Sequence, residues 1–167
     1  IADYVVTAAG LGADSGAEKS CDIKCRKAGL SPDAVVIVAT TKALKMHGGV
    51  KKDDLKDENV QAIIDGCKNL ERHIKNIAKF GVPVTVGINE YYTDTKEEHE
   101  AIIDFCKNLG VACKISSHWS DGGKGAADLA SHVSELADSN SASFKTLYDD
   151  DMPLWEKTDH IAKNIYG

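Results

Sequence analysis

The sequence has no apolar run approaching the ~20 residues that a membrane-spanning helix needs. It also lacks the basic and apolar regions of a secretory leader at its start, so neither a membrane span nor export is expected and the expected location is cytoplasmic. Aromatic residues make up only 6% of the chain, and 14 glycines with three prolines among 167 residues exclude collagen-like and low-complexity classes. Positive charge is in deficit: 20 Lys and Arg face 26 Asp and Glu, for a formal charge of −6. That is the wrong sign for a protein that holds a phosphate backbone, and no nucleic-acid partner is expected. Cysteines are five, an odd number scattered at 21, 25, 67, 106 and 113, which is no disulfide framework. Cys21 and Cys25 stand at i, i+4 without a second close pair of Cys or His, so no metal site is expected. Cys67 and Cys106 read as small buried apolar side chains. No G-x-S-x-G elbow, dinucleotide fingerprint or Walker A loop occurs anywhere in the chain.

What remains is an ordinary globular composition, 43% hydrophobic, in a chain long enough to fold without staples. Short Val- and Ile-rich runs, 3–7, 34–39, 84–88 and 111–115, are too brief for helices and nearly free of charge, as strands buried on two faces are. Between them the apolar spacing predicts helices over 14–27, 58–80 and 125–136, the second stopping at Gly81 and Pro83. Thr95 followed by Glu98 reads as a capping box opening a helix that closes on Gly110, with Ile102, Ile103, Cys106 and Leu109 as its buried stripe. The mixed-sign run 51–57 reads as a solvated loop or helix start. Strand–helix alternation defines an α/β fold, three-layer, with a mainly parallel sheet of about four strands and flanking helices. Residues 1–143 form that domain, and 144–167 follow a Ser-rich stretch as a helical tail packing on it. The first residue is Ile1 rather than Met, and a longer parent protein is expected.

Ligands of parallel sheets sit at the carboxyl ends of strands, which directs attention to four loops. Gly10, Leu11 and Gly12 open a glycine-rich turn that either binds an anion at a helix start or simply needs positive φ. Lys42, Lys45 and His47 follow the second strand, where they meet an anion or favour a helix C-terminus. Asn89 ends the third strand and Tyr91, Tyr92 and Asp94 follow it, a set suited to stacking a planar ligand or to capping the next helix. Trp119 stands in a Ser- and Gly-rich loop with Gly122 and Gly123, where no core requires it.

Taken together these loops resemble formate–tetrahydrofolate ligase, also called 10-formyltetrahydrofolate synthetase. The family's T-E-A-G-F-G-A-D-x-G-x-E-K-F-F-[DN]-I-K-C-R is matched at 7–26 and its V-A-T-V-R-A-L-K-M-H-G-G at 38–49. N-L-x-x-H-I-x-N is matched at 69–76, F-G-V-P-V-V-V-x-I-N-x-F-x-T-D-T at 80–95 and W-x-x-G-G-x-G at 119–125; the tail 147–167 is similar too. The resemblance implies a P-loop-type, NTPase-like α/β domain. It implies a reaction of MgATP, formate and tetrahydrofolate through formyl phosphate to 10-formyltetrahydrofolate, ADP and phosphate. It also implies that Tyr91 and Trp119 flank the pterin, while the glycine-rich loop and the 45–49 segment face the same cleft.

The family's phosphate loop lies upstream of the matched part, so a poor or inactive catalyst is expected of this chain alone. The chain also departs from the pattern. Ala8 replaces Glu, Leu11 replaces Phe, Ser20 and Cys21 replace two Phe, Thr41 and Lys42 replace Val-Arg, and Glu90, Tyr91 and Tyr92 replace Arg-Phe-Pro. Such changes suit surface that has lost a neighbouring domain. The expected function is therefore a fragment or reduced form of the ligase that keeps part of the folate and nucleotide cleft. Two alternatives stand beside it: a non-catalytic binding or structural protein that reuses the fold, and a chain that works with a complementary partner carrying the Walker A half.

Overall fold

A computed structural model of the protein describes residues 2–167. Three strands, β1 (Val35–Ala39), β2 (Val84–Asn89) and β3 (Ala112–Ser116), pair in parallel in the order β1-β2-β3. The register sets Ala39 beside Ile88 and Asn89 beside Ser116, so the three strands end level with one another. The α-helices are α1 (Arg26–Ala28), α2 (Thr41–His47), α3 (Val60–Lys79), α4 (Lys96–Asn108), α5 (His118–Asp121), α6 (Ala127–Asp138) and α7 (Leu154–Ile161).

Burial explains the layering. Ile63, Cys67, Leu70, Ile74 and Ile77 line one face of α3, and Ile102 and Cys106 one face of α4; both stripes join a core with Ile37, Val86 and Ile88 of the sheet. Ile64 and Ala78 lie at helical spacing from these residues, yet both are exposed. On the other side of β2, Gly87 makes room for Leu129 of α6: a Cβ there would lie 3.0 Å from the leucine side chain. Helices thus cover both faces, which is the expected three-layer α/β arrangement. The α2–α3 crossing is closer still. A Cβ on Gly66 would come within 1.9 Å of the Leu44 carbonyl and one on Gly48 within 2.0 Å of the Ala62 carbonyl, so these two backbones meet only through glycine.

The strand expected at 3–7 is absent. Val5 and Val6 are 83% and 92% exposed in chain that pairs with no strand, because β-branched residues form a strand only where a ladder partner and a covered face exist. The sheet has three strands, not four. The helix expected over 14–27 forms as wide π-helical turns, Ala13–Ala17 and Ser20–Cys25, running into α1. The expected run 125–136 is carried by α6, and the C-terminal run by α7 with the turns Ala162–Tyr166. Residues beyond 143 lie on the body: Ser143 N–H donates to the Gly81 carbonyl, Leu147 N–H to Asp22 Oδ1 at 2.8 Å and Asn76 Nδ2 to the Ile165 carbonyl, with Ile165 in the core. No helix among the described residues is long and apolar enough to cross a membrane.

Two tests follow from buried charge. Lys45 and Glu98 form an ion pair of 2.9 Å with side chains 1% and 0% exposed. Lys45→Met leaves the Glu98 carboxylate buried without its cation, and urea unfolding should show a loss of about 3–5 kcal/mol. Glu18 is buried, and burial, then the neighbouring Asp22, raises its carboxyl above the usual value. An acid with a raised folded value costs stability while ionised, and that cost fades as pH falls through the folded value. Glu18→Gln should therefore raise the melting temperature at pH 8, with the gain shrinking toward pH 5.

Candidate functional site

Three loops leave the sheet at one level. The first enters α2, where Thr40 accepts a capping hydrogen bond from Ala43 N–H. The second, after β2, is built around Asp94. Its carboxylate, 1% exposed, accepts from Thr41 Oγ1 at 2.6 Å, from Tyr91 N–H at 2.9 Å and from His99 Nε2 at 3.2 Å. Asp94 N–H returns a bond to the Tyr91 carbonyl, closing a tight turn. Thr95 then caps α4 with Glu98 as its capping-box partner, as the spacing predicts. The third loop bonds mainly to itself: Ser117 Oγ donates to Asp121 Oδ2, Ser117 N–H to the Gly125 carbonyl, and Ser116 Oγ pairs with His118 Nδ1 at 2.9 Å. Glu90 N–H donates to the Ser116 carbonyl and joins the second loop to the third.

The expected site residues divide accordingly. Asn89 ends β2, Tyr91 and Asp94 stand in the second loop, and Lys42 reaches them from α2 with its ammonium 4.3 Å from the Tyr91 ring centroid. Tyr91 is 38% exposed and Trp119, on α5, is 81% exposed, with Gly122 and Gly123 beside it. Tyr91, Asp94 and Lys42 therefore converge just beyond Asn89, and the Trp119 loop is their neighbour through the β2–β3 register. Beneath the second loop, Glu90, Asp94, Lys96, His99, Ile103 and Ile115 line an open cavity of about 350 Å³.

Lys45 does not join this group. It was expected to meet an anion, but its ammonium is held in the interior by Glu98 and the Asp57 carbonyl, so it is no free cation of the cleft. His47 is exposed at the far end of α2. Gly12 lies against α3, where a Cβ would meet His73 at 3.3 Å, while Leu11 is 89% exposed; the left-handed φ expected of the glycines in this turn falls on Leu11 instead, at +64°. Burial lowers the imidazole of His73, with Asp14 opposing and His47 adding to that shift.

Sequence reasoning missed Thr41 and His99. The signal for Thr41 was its place directly after a strand; nothing marked His99 except its position on the first turn of a helix whose cap was already assigned. Cys67 and Cys106 are fully buried as expected, and burial pushes the Cys67 thiol up to about 12. Among the described residues no group of three or more His, Cys, Asp and Glu could hold a metal ion.

A parallel sheet flanked by helices, with polar and aromatic loops at the strand ends, defines an α/β protein of the three-layer class. All 167 residues match the family described as "Formate--tetrahydrofolate ligase". Curated ligases of that name are similar throughout: 62% identical over 167 residues in Granulibacter bethesdensis, 57% over 166 in Sinorhizobium medicae and 56% over 166 in Pelagibacter ubique, covering 99–100% of this chain. The chain belongs to the formate–tetrahydrofolate ligase family. It spans about 30% of the length of these relatives.

Trp119 packs on nothing the fold needs, since its loop is held by Ser117, Asp121 and Gly125. Trp119→Ala should shift unfolding free energy by no more than about 0.5 kcal/mol in a urea titration, the range of surface substitutions.

Proposed function

We propose that this chain supplies the folate-stacking wall of a formate–tetrahydrofolate ligase. The reaction joins formate to tetrahydrofolate at the expense of ATP: formate takes the terminal phosphoryl group of MgATP to give formyl phosphate and ADP, and the folate nitrogen then displaces phosphate. The observation that supports this reading best is the pairing of Tyr91 and Trp119 on adjacent strand-end loops, each aromatic ring unused by the core. A planar ring stacked on exposed aromatic side chains gains dispersion and buried area without a change of fold. Asn89 and Asp94 shape the Tyr91 loop, Gly122 and Gly123 that of Trp119, and Lys42 sets its cation over the Tyr91 ring. His47, Gly10, Leu11 and Gly12 belong to a more distant wall that contacts the nucleotide or the folate tail.

Phosphoryl transfer needs a backbone cradle and a lysine that neutralise the phosphates, and no Walker A pattern occurs in these residues. This chain by itself therefore binds folate without turning over, and catalysis requires the complementary part of the ligase.

Isothermal titration with tetrahydrofolate and, separately, MgATP tests this reading. Micromolar heat with tetrahydrofolate that disappears in Trp119→Ala, with no formyl transfer by the chain alone, is the expected result. No heat with tetrahydrofolate would overturn the stacking wall and leave a structural role for the fold. Formyl transfer by the isolated chain would overturn the need for a complementary part.

A further inference from the structure

The residue that precedes the Lys42 cation and the backbone of Tyr91 are held by the same carboxylate. Asp94 Oδ1 accepts from Thr41 Oγ1 at 2.6 Å, and Thr41 immediately precedes Lys42, whose ammonium lies 4.3 Å from the Tyr91 ring centroid. Asp94 Oδ2 accepts from Tyr91 N–H at 2.9 Å and from His99 Nε2 at 3.2 Å. An ionised carboxylate only accepts, so His99 presents Nε2–H to it, and the ring nitrogen on the other side faces Glu90 Oε1 at 3.8 Å. His99 is 4% exposed and sits on the first turn of α4, an element fixed independently by the Thr95–Glu98 capping box. The imidazole is therefore a back support for a carboxylate that holds two partners at once, Thr41 and the Tyr91 backbone.

We propose that His99 is a positioning residue: through Asp94 it holds Thr41 and the Tyr91 backbone so that Lys42 covers one face of the Tyr91 ring and leaves the other for ligand. Tyr91 then stacks the planar ring on the side away from Lys42, and Trp119 on the neighbouring loop is left to meet the ring's other face. Lys42 is the specificity element, since its positive charge behind the tyrosine biases the site toward a ligand carrying a negative substituent. This inference rests on the folate-stacking reading for the identity of the ring, but the arrangement of Lys42 and Tyr91 exists in the free protein and is tested there.

The experiment is nuclear magnetic resonance on the unliganded chain, reading the exchange rate of the Tyr91 amide and the upfield ring-current shift of the Lys42 ε-methylene. In the unmodified protein the amide is protected and the methylene shifted. His99→Leu should speed Tyr91 exchange by about tenfold, the loss of one hydrogen bond to a charged group, and collapse the Lys42 shift. His99→Gln, which returns an N–H donor at similar reach, should restore both. Thr41→Val supplies a second arm if His99→Leu fails to fold: the Lys42 shift is lost while Tyr91 amide protection persists. An unchanged shift in folded His99→Leu or in Thr41→Val, or a Gln variant that behaves like Leu, overturns the proposal. Tetrahydrofolate affinity should fall about tenfold in His99→Leu and recover in His99→Gln. If the unmodified chain binds no tetrahydrofolate, the folate reading fails, and the two resonance measurements still decide the role of His99.

Discussion

The buried pair of Lys45 and Glu98 is the constraint on which the strand-end loops depend. Glu98 Oε1 accepts from Lys45 Nζ and from Asn59 N–H, while its other oxygen accepts from Thr95 N–H; Lys45 in turn donates to the Asp57 carbonyl. One carboxylate thus ties α2, the turn leading into α3 and the first turn of α4. Each of these segments carries part of the surface above the sheet. A buried charge pair contributes little net stability compared with apolar packing, but its geometry tolerates no slippage, because either partner left alone in the interior is costly. The pair works as a register pin for three helices.

Close backbone approach makes that pin reachable. Lysine spans only a few ångströms beyond its Cβ, and α2 must lie almost on α3 for Lys45 to meet both Glu98 and Asp57. Gly48 and Gly66 allow it, each opposite a carbonyl that a methyl group would strike. The rest of the layer is ordinary apolar burial against Val86 and Ile88. On the opposite face Leu129 meets Gly87, but Val38 remains 68% exposed, so that layer covers the sheet only in part.

Local signals in the sequence were read correctly where they reported local physics. The capping box at Thr95 and Glu98, the glycine stop at Gly110 and the cores of β1, β2 and β3 all arise from neighbours within a few residues, and all occur within a residue or two of expectation. Signals that depend on distant partners were misread. The run Val5–Val6 has the composition of a strand, yet a strand requires a second chain segment beside it. Lys45 looked like a free cation because its partner lies 53 positions away on another helix. The position of Asp94 after β2 suits stacking or capping, but its bonds to Thr41 and His99 follow from packing that no spacing rule contains.

The departures from the family pattern sort by environment, and the sorting corrects a simple expectation. Ala8, Leu11 and Tyr92 are exposed, as surface relieved of a neighbour would be. Cys21 and Thr41 are buried, so exposure does not account for them. Cys21 fills core space where the pattern has a larger aromatic. Thr41 is more informative. A Val at that position would bury an apolar side chain and leave Asp94 with two donors; the threonine hydroxyl adds a third at 2.6 Å and fastens the start of α2 to the Tyr91 loop. The adjacent change from Arg to Lys42 exchanges a planar guanidinium for a compact ammonium that sits over a single ring face. The two neighbouring substitutions act on the same tyrosine, one through its backbone support and the other through its ring. Both therefore act on the tyrosine proposed to stack the folate ring.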